Sequence, residues 1–173
     1  MQQDLRILAT KYARDFDLPP DLVIAICQTE SSGDPFASRF EPDYPYLWDN
    51  QLNRPLANVS AGSKLVPVPG FKALAGVTPH TEWVHQKTSW GLMQVMGGVA
   101  RARGWTGPLP ALCSALTGLE IGCNHLAHLR DRFLDGYGWA GVVAAYNAGN
   151  PRSKTGEAYA YKVAENGAGW LFS

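Results

Sequence analysis

Pro20-Asp21-Leu22-Val23-Ile24-Ala25-Ile26-Cys27-Gln28-Thr29-Glu30-Ser31-Ser32-Gly33-Asp34-Pro35 is the stretch on which the fold turns. A helix beginning at Pro20 or Asp21 and running to Glu30 is apolar on nearly every face, which marks a buried central helix of an α-rich domain. Gly33 is a natural helix stop, and Pro35 cannot continue the helix. Glu30 therefore stands at the end of an apolar helix, with Ile26 and Cys27 one turn before it and Val23 two turns before. Such surroundings desolvate a carboxylate, favour its protonated form and suit it to general-acid work near neutral pH. The plainer reading is a solvated helix-end residue beside Ser31-Ser32-Gly33, and this stretch alone does not choose between the two.

Outward from this helix the pattern stays helical. On the N-terminal side, Leu5, Leu8, Ala9, Tyr12, Ala13 and Phe16 recur at helical spacing after Asp4, a candidate cap, and Asp17-Leu18-Pro19-Pro20 breaks the run. On the C-terminal side, helices are expected over Gly98–Arg103 and Leu109–Cys113. A longer one over Thr117–Phe133 places Leu119, Cys123, Leu126, Leu129 and Phe133 inward. Gly136-Tyr137-Gly138 interrupts it, and a further apolar helix over Trp139–Asn147 is stopped by Gly149 and Pro151. A last helix is expected over Thr155–Glu165. Residues 41–88 differ: Pro42, Pro45, Pro55, Pro67, Pro69 and Pro79 break the pattern, so a long loop is expected there, with a small β-ribbon admitted within 41–96. Tyr44, Tyr46, Trp48, Phe71 and Trp83 could offer sugar-stacking faces; the plainer expectation is that most pin the loop to the core. The fold class read here is mainly α, as a single domain over 1–173.

Lys+Arg and Asp+Glu are equal at 15 each, which argues against a general nucleic-acid binder. No apolar run reaches the roughly 18 residues that span a bilayer, so no membrane insertion is expected. Cys27, Cys113 and Cys123 are odd in number and follow no framework, so buried thiols are expected, with a Cys113–Cys123 bridge as the alternative. His125 and His128 sit three apart and could share a helix face, but a solvated pair is the better reading than a metal site. No metal or cofactor is implied.

The segments Gln28-Thr29-Glu30-Ser31-Ser32-Gly33-Asp34-Pro35, Gly91-Leu92-Met93-Gln94-Val95-Met96 and Ala145-Tyr146-Asn147-Ala148-Gly149 occur in that order, followed by Tyr159-Ala160-Tyr161-Lys162-Val163. The ordered set resembles the sequence blocks of the lytic transglycosylase catalytic domain, the soluble type related to goose-type lysozyme. The resemblance implies a lysozyme-like helical fold with a long substrate cleft and peptidoglycan glycan strands as substrate; nothing in the sequence demands more than a monomer. It makes Glu30 the catalytic acid and base. Ser31 becomes a support for the site's hydrogen bonding, and Gln94 and Met96 become cleft contacts to the sugar near the cut. Tyr146 becomes a tyrosine whose hydroxyl lies close to the catalytic carboxyl, Asn147 its partner, and Tyr159 a further cleft residue. For Gly91 and Gly149 the resemblance adds less than structure does: close backbone approach and a helix stop.

With one acid, the reaction implied is a transglycosylation that closes a 1,6-anhydro ring on N-acetylmuramic acid, consuming no water. Three alternatives stay open. One is a hydrolase, if Glu41, Asp43, Asp49 or Glu82 supplies a second carboxylate at roughly 6.5–9.5 Å, although Glu41 could as well pair with Arg39 and Glu82 lie on the surface. The others are a silent peptidoglycan-binding or virion-structural module, and a chitin-active enzyme. No secretory signal is visible at Met1-Gln2-Gln3-Asp4-Leu5-Arg6. The expectation is synthesis in the cytoplasm and delivery to the cell wall by a phage-type or dedicated export route.

Overall fold

The computed structural model describes residues 1–56, 59 and 65–172. In chain order the elements are α1 (Gln3–Asp15), α2 (Pro20–Ser31), β1 (Ser38–Phe40), β2 (Trp48–Asp49), β3 (Arg54–Pro55), α3 (Pro79–Gln86), β4 (Thr88–Trp90), β5 (Val95–Met96), α4 (Gly97–Ala102), a 3-10 turn (Leu109–Cys113), α5 (Ala115–Ala148), α6 (Lys154–Glu165) and a second 3-10 turn (Gly169–Phe172). The chain divides into two compact units, one formed by Met1–Asp34 with Gly122–Ser173 and the other by Pro35–Ile121. The fold is mainly α, as expected.

The first unit is helical throughout. Leu22, Val23, Ala25, Ile26 and Cys27 are buried along α2, which packs against α1 and α6. The apolar sequence of α2 is thus matched by neighbours that remove it from water. The corner between α1 and α2 is closed by Arg130, whose guanidinium donates to the carbonyls of Phe16 and Asp17, both at 2.8 Å. These two carbonyls lie beyond the end of α1, where no helical partner remains for them. α2 ends with Ser32 in the left-handed region. Along α5, Cys123, Leu126 and Leu129 are buried as the periodicity predicts. The expected break falls at Gly138 (φ 61°, ψ −176°). That conformation is open in practice only to glycine.

The second unit carries the β structure. β4 is the central strand of a three-stranded antiparallel sheet ordered β1-β4-β5, with Ser38 opposite Trp90 and Ser89 opposite Met96. β2 and β3 form a separate antiparallel ribbon. The turn between β4 and β5 begins at Gly91 (φ +71°), where a Cβ would lie 2.2 Å from the carbonyl oxygen of Leu112. Both the dihedral and the approach require glycine here.

α3 corrects the expectation of a long loop over 41–88. Pro79 starts this helix rather than breaking it, and the Thr78 hydroxyl accepts from the Thr81 N–H as its cap. Trp83 on α3 is fully buried with Leu47 and Phe71, and Tyr44, Leu56, Val59 and Val68 pack against this cluster. Phe71 and Trp83 meet edge to face at 5.1 Å, so these rings serve the core, whereas Tyr46 is exposed. The Gln86 side chain bonds to both the N–H and the carbonyl of Trp48, at 2.7 and 3.1 Å, acting as a substitute strand partner. The Lys87 ammonium donates to the Pro42 carbonyl at 2.8 Å. Residues 57, 58 and 60–64 of the segment lie outside the described residues.

Candidate active site

Glu30 occupies the last turn of α2 in the first unit and is half-buried. The Tyr159 hydroxyl on α6 donates to its Oε1 at 2.7 Å. Burial, then the charge of Glu30, holds the Tyr159 phenol far above its ordinary pKa. Tyr146, near the end of α5, is raised well above its ordinary value by the same two causes in the same order. Two neutral phenols therefore belong to the electrostatic surroundings of one carboxyl. The resemblance implied a place close to the carboxyl for Tyr146 and a further cleft position for Tyr159; the Tyr159 hydroxyl bonds Oε1, and both phenols feel the Glu30 charge.

The supports of this arrangement were partly missed in the sequence. Asn166, at the end of α6, donates to Thr29 Oγ1 at 2.9 Å, and the Thr29 hydroxyl donates to the Ala25 carbonyl at 2.8 Å. The ends of α2 and α6 are thereby tied together one residue from Glu30. The Ser31 hydroxyl donates to the Cys27 carbonyl at 3.0 Å, inside its own helix. The ring of His125 lies 5.4 Å from that of Tyr146, tilted by 44°. His125 is half-buried and only His128 is exposed, so the expected solvated pair is corrected: one member packs against the Tyr146 ring. Asn147 is exposed. Cys27 and Cys123 are buried thiols, and burial followed by the nearby Glu30 charge pushes Cys27 up to about 12. Cys113 is half-buried, with its sulfur 4.0 Å from the Phe36 carbonyl oxygen, and forms no disulfide.

Gln94 and Met96 lie in the second unit. Gln94 sits at φ 46°, an uncommon conformation for a residue with a side chain. Its amide donates to the carbonyls of Ala37 and Gly91, both at 2.9 Å, and its Oε1 accepts from the Ser89 hydroxyl at 2.8 Å. One bond thus holds the β4–β5 turn to the segment leading into β1 and the other closes the turn on itself, leaving acceptor capacity on Oε1. Met96 is half-buried and precedes α4.

Of the candidate second carboxylates, Glu82, Glu41 and Asp49 have partners within the second unit. Glu82, read as either a second carboxylate or a surface residue, is fully buried: Arg101 Nε donates to its Oε1 at 2.7 Å and Nη2 to its Oε2 at 3.0 Å, while Gln86 and Asn50 each donate at 3.0 Å. Burial raises its pKa, but the bonds from Arg101, Gln86 and Asn50 and the Arg101 charge outweigh that and hold the carboxyl below its ordinary value. Glu41 pairs with Arg39 at 2.7 Å. Asp49 accepts from the N–H groups of Gln51 and Leu52, and Asp43 is exposed.

Residues 78–167 match the family model described as Transglycosylase SLT domain, more than half of the chain. Gln94, Met96, Tyr146, Asn147 and Tyr159 fall within the match, and Glu30 and Ser31 precede it. Among curated proteins the sequence has no match.

Proposed function

The chain belongs to the Transglycosylase SLT domain family, and from that premise we propose that it is a lytic transglycosylase of bacterial peptidoglycan with Glu30 as its acid and base. The observation that carries the role of Glu30 is the 2.7 Å hydrogen bond from the neutral Tyr159 hydroxyl to Oε1, which fixes the carboxyl at the end of a buried helix. Glu30 protonates the oxygen linking N-acetylmuramic acid to N-acetylglucosamine. As the C1–O bond breaks, the sugar's own N-acetyl oxygen stabilises the positive charge at C1. The Glu30 carboxylate then takes the proton of the muramoyl C6 hydroxyl, whose oxygen bonds to C1 and closes the 1,6-anhydro ring. Glu30 ends protonated as it began, and no water enters. Proton transfer of this kind contributes about 10²–10⁴ in rate.

Gln94 Oε1, Met96 and Asn147 contact the sugar chain in this reading, and Tyr146 stays neutral beside the carboxyl, so no second charge competes with it. The engagement of Glu41, Asp49 and Glu82 within the second unit disfavours a hydrolase built on any of them. Mass spectrometry of the soluble products of purified peptidoglycan, with Glu30→Gln in parallel, tests the proposal. Muropeptides ending in 1,6-anhydro-N-acetylmuramic acid, absent from the variant, are expected. Reducing-end products heavier by one water would replace the lyase with a hydrolase, and unchanged release by Glu30→Gln would remove Glu30 from the chemistry.

A further inference from the structure

A second feature of the first unit has no part in that chemistry. α6 presents Ser153, Glu157 and Ala160 along one face, since residues three and four apart stack on a helix, while Tyr159 projects about 120° away toward Glu30. On the Glu157 face lies a pocket of about 200 Å³. Its walls are Tyr137 and Phe172, both exposed, with Arg152 and Glu157; its floor includes Ala144 and Ala160. The pocket exists because the floor residues are small and the wall rings are held upright by their neighbours. Tyr137 lies against Gly141, where a Cβ would come within 2.3 Å of the tyrosine Cβ. Arg152 sits over the Tyr137 ring at 5.2 Å, and Phe172 is stacked on Tyr161 at 4.2 Å with an interplanar angle of 8°.

We propose that this pocket is an accessory binding site for one N-acetylhexosamine residue of a glycan strand, separate from the place of cleavage. The volume is below the roughly 300 Å³ of drug-sized pockets and suits a single pyranose ring. A pyranose has an apolar C–H face and a rim of hydroxyls, and the pocket offers aromatic surface together with a guanidinium donor and a carboxylate acceptor. Arg152 and Glu157 make no ion pair with each other among the described residues, and their charges cancel. A neutral ligand needing both a donor and an acceptor therefore fits better than an anion or a cation. The choice of glycan as ligand rests on the peptidoglycan reading above. A polymeric substrate held at two places dissociates more slowly than one held at one, without any new contact at the cut.

The test uses the full chain with Glu30→Gln, titrated with the N-acetylglucosamine trimer and followed by the methyl resonances of its alanines. The Ala144 and Ala160 methyls are expected to shift, and Arg152→Ala or Tyr137→Ala to weaken that response about fivefold. Arg152→Ala in the otherwise native chain is expected to slow release from insoluble sacculi about threefold while cleavage of a short soluble fragment is unchanged. Because Tyr137 also packs on Gly141, the Arg152 variant decides where the two disagree. Silence of the Ala144 and Ala160 methyls at saturating trimer would overturn the site, whatever the products at Glu30. Shifts there, together with a native chain that releases no anhydro products, would keep the site and sink the transglycosylase reading.

Discussion

Tyr159 donates to the one carboxyl that the chemistry depends on, so its removal has a definite signature. A hydrogen bond to a carboxylate favours the ionised form, and losing the donor favours the protonated one. A general acid must start protonated, so activity falls as pH rises through its titration. In Tyr159→Phe this alkaline limb of the kcat/KM profile is expected to move to higher pH, with the maximum about tenfold lower, or ~1.4 kcal/mol. A profile of unchanged shape would mean that Tyr159 only fills space. Arg101 invites a different experiment, because Glu82 is buried beside it with side-chain exposures of 1% and 2%. Arg101→Met leaves that carboxylate without its counter-charge and is expected to destabilise the protein by about 3–5 kcal/mol in urea unfolding. A loss below 1 kcal/mol would show that Gln86 and Asn50 suffice. The blocks that hold Glu30, Tyr146 and Tyr159 were legible in the sequence, but the hydrogen bond from Tyr159 to Glu30 was not: it depends on how α6 is tied to α2 through Asn166 and Thr29. The Glu82–Arg101 pair joins residues 19 positions apart on separate helices, and no local spacing announces it.

At the scale of elements, the helices with strong periodicity were legible to within a residue or two. α2, α4, α6 and the 3-10 turn at Leu109–Cys113 fall where expected, since their apolar spacing and their glycine and proline stops agree. α3 was not, because Pro79 was counted with the loop-forming prolines. Thr78-Pro79 is a cap followed by proline in the first helical turn, a start signal that the surrounding prolines obscured. The β2–β3 ribbon has only two residues per strand, too few for alternation to register. The break inside α5 was legible from Gly136-Tyr137-Gly138, and it supplies a test of backbone conformation alone. A Cβ at Gly138 would meet nothing within 4 Å, so Gly138→Ala introduces strain without a clash. The expected cost is about 1–3 kcal/mol in equilibrium unfolding. A neutral result would mean that α5 runs straight through this position once glycine no longer holds it open.

For the molecule as a whole, zero formal net charge at neutral pH means little general repulsion there, so the first response to acid belongs to particular groups, and two of them lie in the second unit. Burial, with a smaller contribution from the Arg101 charge, lowers the pKa of His85 despite the opposing pull of Glu82. Its ring meets Trp90 edge to face at 5.4 Å. A group depressed on folding contributes stability that is fully present above its unfolded pKa and lost as pH falls through its folded value. For His85 the loss begins below about pH 6.5. Glu82 is also held below its ordinary value, so the same sign applies, with its contribution intact above about 4.3 and lost at lower pH. The two act in succession and in one direction. Tm measured by calorimetry is therefore expected to be level above about pH 7, to begin declining below about 6.5 through His85, and to fall further below about 4.3 as Glu82 adds its loss. His85→Gln removes a titrating group without adding charge and should flatten the upper decline while leaving the lower one. A wild-type Tm that stays level from pH 8 to 5 would show that His85 reaches water before it protonates. An upper decline that survives in His85→Gln would place the responsible proton on another group.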